Sequence, residues 1–356
     1  RSSFETLRLP RAGLQGEAPE IRELLRLFFM EGTERETLFR TARELRRRHF
    51  VNRIFLYGFL YLSTYCRNDC RFCFYRRSNV QCRRYRKSPE EALAAADRLA
   101  ASGVHLLDLT LGEDPLLHRE EGFAPLVGLT AEVRRATGLP VMVSPGVVPE
   151  AVLAELARAG ADWYACYQET HSRALFRRLR PGQNFARRLQ AKRDARRLGL
   201  LVEEGVLCGV GERPLDLARS VRAMAELGAE QVRAMSFVPQ NGIPLASRYA
   251  GDREGELTAI AVLRQAFPDK LIPASLDVDG LAGLERRLEA GANVVTSLIP
   301  PGQGMAGVAR SALDIEEGRR TAVQVRQVLE RCGLEPATQA EYATWIAARK
   351  REARCA

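Results

Sequence analysis

Short apolar runs rich in β-branched and aromatic residues alternate with amphipathic stretches along almost the whole chain. Eight runs read as strands, at 53–62, 104–110, 140–144, 162–168, 200–209, 230–237, 271–275 and 292–297. Helical spacing of apolar positions fills 89–102, 124–137, 149–159, 185–198, 215–227, 254–266, 280–290 and, after the last strand, 314–332. Leu93, Ala96, Leu99 and Ala100 illustrate the period, and Gly103, Gly138, Gly160, Gly199, Gly228 and Gly291 stop successive helices. Eight β-then-α units in series predict an α/β fold, a closed (β/α)8 TIM-type barrel with right-handed crossovers. A doubly wound open sheet is the structural alternative. Residues 1–50 read as an N-terminal helical extension, 51–335 as the barrel and 336–356 as a polar helical tail.

The 356 residues suit one barrel of about 250 residues with extensions as well as two domains of about 150. With 46% hydrophobic and 28% charged residues the chain is expected to bury a sizeable core. The longest apolar stretch, from Ile54 to Leu62, is too short to cross a bilayer. No export leader is expected, so a cytoplasmic location is. The net charge is +10, and only Lys87, Lys192, Lys270 and Lys350 are lysines. Nucleic-acid binding would explain such an excess. The arginines are nevertheless scattered and often fall in amphipathic helices, so a compositional bias is the preferred explanation.

In such barrels chemistry gathers where the strands end. The first strand runs into Cys66-Arg67-Asn68-Asp69-Cys70-Arg71-Phe72-Cys73, three of the chain's eight cysteines. Thiolates at that spacing reach three corners of an iron–sulfur cube and leave one iron open to a small molecule. Cys82 is a poor candidate for a fourth ligand. Zinc prefers four closed ligands and paired knuckles, and no second knuckle follows. A disulfide framework does not suit three clustered cysteines in a long chain.

The motif Cys66-x3-Cys70-x-Phe72-Cys73 resembles the signature of the radical S-adenosylmethionine (SAM) superfamily. The stretches from His105 to Pro115, Tyr167 to Thr170, Val238 to Leu245, Ile272 to Asp277 and Ala290 to Ser297 further resemble the methylornithine synthases of pyrrolysine biosynthesis. The similarity runs from about residue 43 to 339, with biotin synthase and the hydrogenase-maturation enzyme as wider kin. It implies a [4Fe–4S] cluster on Cys66, Cys70 and Cys73, with SAM on the open iron and a low-potential donor of flavodoxin or ferredoxin type. It also implies isomerisation of L-lysine to (3R)-3-methyl-D-ornithine through radical fragmentation and recombination. For the cofactor, the resemblance places Phe72 near the adenine, Glu169 on the methionyl ammonium and Arg188 on its carboxylate. Ser144, Gln168, Val238 and Gln240 are carried over as neighbours.

An amino-acid substrate fits the other strand ends. Its carboxylate wants a guanidinium, supplied by Arg233 inside the sixth strand. Its two ammonium groups want Asp108 and Asp277, with Ser275, Thr296 and Ser297 as neutral partners. Each has a plainer reading: a structural ion pair for Arg233, a loop-tying acid for Asp108, ordinary strand polarity for Thr296 and Ser297. His105 is expected to pack against the barrel and His118 to lie on a loop, while Gly209-Val210-Gly211 reads as a turn. The N-terminal helices or the 119–123 loop are candidate lids over the mouth.

The rivals are another enzyme of the biotin-synthase and hydrogenase-maturase group acting on a different small amino acid, and a tRNA-binding modification protein. A second, sulfur-donating cluster would need more strand-end ligands than Cys166 and Cys208 supply. A tRNA binder would show exposed aromatics in a basic stripe. A monomer that binds neither membrane nor nucleic acid is expected.

Overall fold

The computed structural model describes residues 19–246, 253–300 and 319–355. Eight parallel strands follow one another around a barrel: β1 (Arg53–Ser63), β2 (Leu106–Leu111), β3 (Val141–Ser144), β4 (Ala161–Ala165), β5 (Leu201–Cys208), β6 (Gln231–Ser236), β7 (Pro273–Ser275) and β8 (Val294–Leu298). The sheet order β6-β5-β4-β3-β2-β1-β8-β7 closes where Gln231 bridges Leu271, with Val232 N–H donating to Leu271 O at 2.9 Å. The closed barrel stands, and the open-sheet alternative falls.

β1 shows why the strands sit as they do. Ile54, Leu56, Leu60 and Leu62 face the outer helices, while Phe55, Tyr57, Phe59 and Tyr61 fill the interior. Gly58 breaks the series because a Cβ there would meet Leu99 of α3 (Pro89–Ala101) at 3.0 Å. α3 itself starts in a capping box, Ser88 with Glu91, and Pro89 occupies its first turn. The outer ring continues with α4 (Ala124–Thr137), α5 (Glu150–Arg158), α6 (Arg173–Leu179), α7 (Phe185–Arg197), α8 (Pro214–Leu227) and α9 (Glu254–Ala266). After β7 come α10 (Leu276–Asp279) and α11 (Leu284–Glu289), and after β8 comes α12 (Ala322–Arg331).

Strand four ends three residues earlier than expected. Past Ala165 the chain leaves the ladder and returns only as an isolated bridge between Glu169 and Val206. Glu169 has φ +66°, a left-handed conformation that no continuous strand accommodates. Of the helix expected at 314–332, residues 314–318 lie outside the described residues, as do residues 1–18 of the helical extension.

The two ends of the chain serve the barrel differently. α1 (Ile21–Phe28) packs on α8, and α2 (Gly32–Phe50) on α9 and α11. Arg46 of α2 donates to the carbonyls of Leu288 and Ala292, below the start of β8. The described N-terminal helices therefore flank the barrel rather than cover its mouth. The tail expected to be polar is α13 (Gln339–Cys355), which plugs the opposite, amino-terminal end. Tyr342 is fully buried with its hydroxyl 2.6 Å from that of Tyr57, and Trp345 stacks on Trp163 with ring planes 4° apart. His105 packs here too, accepting from Leu56 N–H at Nδ1 and meeting Ala337 O through Nε2. Among the described residues no helix is long and apolar enough to cross a membrane.

Candidate active site

The carboxyl ends of the strands enclose a cavity of about 190 Å³. Its rim carries Cys66, Cys70 and Cys73, and deeper on the wall stand Asp108, Arg233 and Asp277. Phe72, Ser144, Glu169, Arg188 and Val238 line it as well. Eleven residues that sequence alone nominated, from six different strand ends, thus face one space.

The cysteine loop is built to hold its shape. Arg84 sits at its centre and donates to the carbonyls of Thr64, Tyr75, Arg76 and Asn79. Asp114, just past β2, clamps the loop's two stems by accepting from Ser63 Oγ at 2.5 Å and from Arg86 at 2.8 Å through both oxygens. Arg86 in turn lies over the Tyr65 ring at 3.8 Å. Gly112 allows the loop to settle on β2, since a Cβ there would stand 2.5 Å from Tyr65 O and 2.9 Å from Cys66 Cβ. Asp69 fixes the insert after Tyr75 by accepting from the Ser78 amide and hydroxyl and from Arg76. Many arginines here have structural partners, which composition alone did not reveal.

The donor set suits a cluster. Cys70 Sγ accepts from Gln183 Nε2 at 3.0 Å and from Arg180 Nη1 at 3.4 Å, donors that would suit a cluster-bound sulfur. Burial pushes the Cys66 thiol up to about 11, with Cys70 adding to the rise, and raises the Cys73 thiol as well. Thiols of that kind become thiolates only when a metal displaces their protons. Among the described residues no three His, Cys, Asp or Glu side chains close on a single ion. A cube asks for something else, one thiolate on each of three irons. Cys82 is buried but does not line the cavity.

Beside the cysteines lies a polar wall. Glu169, its carboxyl raised by burial, accepts from Arg180 Nη2 at 3.0 Å. Arg180 Nε is buried without a hydrogen-bond partner among the described residues, and its guanidinium stands 5.0 Å from the Phe72 ring. Arg188 is buried, unlike the exposed Arg187, Arg193 and Arg197 of the same helix. It donates to Tyr167 O at 2.7 Å and pairs with Glu113 at 3.5 Å. Gln168 departs from expectation. Its side chain turns outward, donating to Phe185 O and accepting from Lys192, whose ammonium is bonded to Glu204. Glu204 also accepts from the Gln168 and Gly205 amides, so this buried group fixes the turn that presents Glu169. Gln240 does not line the cavity.

The deeper charges are paired in ways that sequence reasoning missed. Arg233 Nε donates to Glu203 at 2.8 Å, and Tyr167 donates to the other Glu203 oxygen at 2.8 Å. Burial alone would lower the Arg233 pKa, but Glu203, Tyr167 and Asp108 together hold it above the usual arginine value. Arg233 Nη2 reaches Thr296 Oγ1 at 3.4 Å. Asp108 accepts from Ser144 Oγ at 2.8 Å. Burial, only partly offset by Ser144 and reinforced by Glu203, pushes its pKa up to about 7. Asp277 is not the free countercharge expected, because Arg320 donates to it at 2.5 Å and Tyr61 at 3.1 Å. Ser275, Thr296 and Ser297 stand behind the wall rather than on it. Ser275 accepts from the Asp277 amide at 3.3 Å and sits 3.5 Å from Ser297 Oγ. Ser297 is held at φ +67°, so it and Glu169 place two strained residues at the site. One signal was visible in advance: two adjacent carboxylates, Glu203-Glu204, inside an otherwise apolar strand.

Comparison with known proteins identifies the family. The model of the radical SAM superfamily matches residues 60–224. The 3-methylornithine synthase of Methanosarcina acetivorans is 42% identical over 333 residues, 93% of each chain. The [FeFe] hydrogenase maturase subunit HydE of Thermotoga maritima is 30% identical over 263 residues, covering 73% of this chain and 74% of its own. A crystal structure of methylornithine synthase (PylB) superposes with a TM-score of 0.88 at 40% identity, covering 95% of this chain and 99% of that one.

Proposed function

The chain belongs to the radical SAM superfamily and, within it, to the 3-methylornithine synthases, and from that premise we propose that it isomerises L-lysine to (3R)-3-methyl-D-ornithine for pyrrolysine biosynthesis. The observation that carries the reading is Arg233 and Asp108 facing one cavity whose rim holds three cysteines.

Cys66, Cys70 and Cys73 would hold a [4Fe–4S] cluster, which together with SAM supplies a carbon-centred adenosyl radical at the mouth of the cavity. Glu169 and Arg188 orient the methionyl ammonium and carboxylate, with Phe72 and Val238 against the adenosyl group. Gln168 contributes through its backbone turn, and Gln240 is not among the residues that line the cavity. Arg233, fixed on its Nε side by Glu203, turns its remaining donors to the lysine carboxylate. Asp108 takes the α-ammonium, which draws its carboxyl toward the ionised form. Asp277, already neutralised by Arg320, offers hydrogen bonds to the distal ammonium rather than a full countercharge. Ser144 orients Asp108, Thr296 orients Arg233, and Ser275 and Ser297 orient the Asp277 turn. The packed interior, plugged below by α13, keeps water and stray hydrogen donors from the reacting carbons.

Partners on this reading are lysine and a low-potential electron donor in a reducing cytoplasm. On this reading the protein works as a monomer and needs no membrane or nucleic acid. The test is anaerobic: reconstituted protein, dithionite, SAM and lysine yield methylornithine by mass spectrometry. Unchanged lysine with only abortive 5′-deoxyadenosine overturns the substrate assignment.

A further inference from the structure

The arginines are spread along the chain, but the net positive charge is concentrated. Eight arginines and lysines stand against one carboxylate from Cys66 to Lys87, and eight against none from Thr170 to Arg193. These two segments exceed the chain's whole net charge of +10, so the remainder is net negative. Both lie at the carboxyl mouth of the barrel. The first is the cysteine loop; the second holds α6 and most of α7 and joins that loop through Arg71 N–H to Leu179 O at 2.9 Å.

Arg84, Arg86, Arg180 and Arg188 are occupied by the loop and the site, as described above. Arg71, Arg77 and Arg187 are exposed around the cysteines, and Arg119 joins them from the loop after β2. Arg77 reaches Asp69 only at 3.6 Å, with its side chain 64% exposed. Within this group opens a second cavity, of about 380 Å³, lined in part by Arg77, Arg119 and Arg187, by Asp69, and by Arg67 in its 2.9 Å ion pair with Glu113. Its inner wall includes Asn68, Glu113 and Arg188, which also line the reaction cavity. One layer of side chains therefore separates a basic hollow from the chamber of the three cysteines.

We propose that this arginine-rimmed hollow is the docking face for an acidic, low-potential one-electron carrier protein. The inference rests on the function proposed above, because only a cluster at Cys66, Cys70 and Cys73 gives the face a task. In that task one electron passes from the reduced carrier to the oxidised cluster, no bond forms or breaks, and the carrier leaves oxidised by one electron. Charge complementarity steers such an encounter and fixes its orientation. Val80, 95% exposed in the same loop, supplies an apolar contact of the kind protein interfaces use. A single-stranded RNA would need stacking aromatics, and the large exposed hydrophobics among the described residues are Phe29, Val51, Val80 and Val323. Phe29, the one aromatic of the four, is on α1, far along the chain from both basic segments.

The test uses the reconstituted holoenzyme with an acidic flavodoxin and an acidic ferredoxin as probes. Binding is read by calorimetry across a salt series. Cluster reduction is read at its visible absorbance without lysine, so a failed lysine assignment leaves this test standing. Joint Arg77→Glu, Arg119→Glu and Arg187→Glu replacement should weaken carrier binding at least tenfold at low salt. The difference should shrink toward unity near 0.5 M salt, where screening reaches only a few ångström. Reduction by the carrier slows in step, while reduction by dithionite is unchanged. Arg187→Glu alone gives a smaller loss in the same direction, and the three Arg→Lys replacements retain binding. Carrier binding that ignores both the variants and salt overturns the proposal. So does failure of both carriers to bind the wild-type protein, or loss of tRNA binding in place of carrier binding.

Discussion

Glu203→Gln tests whether the substrate pocket depends on a buried ion pair. The replacement keeps the shape and one acceptor for Arg233 Nε, now 2.8 Å away, but removes the charge. Two unit charges about 4 Å apart at an effective dielectric near 20 attract by about 4 kcal/mol. Losing one member of a buried pair costs about 3–5 kcal/mol. The amide retains part of the hydrogen bonding, so about 3 kcal/mol is expected. At roughly 2.1 cal/mol/K of unfolding entropy per residue, a chain of 356 residues should melt about 4 °C lower. Melting of the apo-protein for Glu203→Gln, Arg233→Met and the double variant completes a cycle, in which the double should be far milder than the singles combined. Effects that add within about 0.5 kcal/mol refute the coupling. Turnover gives an independent reading. Glu203 helps raise Asp108 to about 7, so its neutralisation should move the acid limb of the pH–rate profile to lower pH. An unmoved limb, or one moved to higher pH, removes Glu203 from the account of Asp108.

Asp108 also predicts a pH dependence of stability. Its folded pKa of about 7 lies above the ordinary aspartate value of 3.8, so the folded state holds the proton more tightly. That stabilisation is complete below about pH 4 and is lost as pH rises through 7; wild type measured against Asp108→Asn in urea should therefore lose ground across that window. A flat difference between the two refutes the shift. Cys70→Ala should abolish cluster absorbance and bound iron, whereas Cys82→Ser, outside the cavity, should leave iron content unchanged. Retained iron in the first, or lost iron in the second, refutes the ligand assignment. Tyr342→Ala, which empties a fully buried ring position at the barrel floor, should cost about 3–5 kcal/mol in apo-protein unfolding. A loss under 1 kcal/mol would show that α13 is not part of the core.

Periodicity made the barrel legible because it repeats eight times. β1 states the rule most clearly, with aliphatic residues outward and aromatics inward at every second place. It misled at 162–168 because the residues past Ala165 remain apolar or buried after the ladder ends. Burial there comes from the Lys192–Glu204–Gln168 group rather than from strand pairing. α13 was hidden for the opposite reason. Apart from alanines and a terminal cysteine, its 17 residues carry just three apolar side chains, and its weight rests on these, Tyr342, Trp345 and Ile346, meeting a floor that exists only once the barrel has closed.

The site divides along the same line. The cysteines announce themselves by local spacing, and residues at strand ends such as Asp108 and Arg233 by position, since the fold brings every strand end to one mouth. What position cannot convey is which charge is already spent. Asp108 and Asp277 look equivalent in sequence, each an acid at a strand end. Asp277 lies against Arg320, some forty residues on and beyond β8, and is neutralised. Asp108 is bonded to the Ser144 hydroxyl, and its nearest guanidinium, Arg233, is already engaged by Glu203, so burial and the like charge of Glu203 keep its proton near neutrality. Of the two, Asp108 therefore has an unmet demand for a cation and Asp277 does not. A lysine entering with its α-ammonium toward Asp108 repairs that imbalance, whereas the reverse orientation leaves it standing, so substrate polarity in this pocket follows from partners no local pattern could reveal.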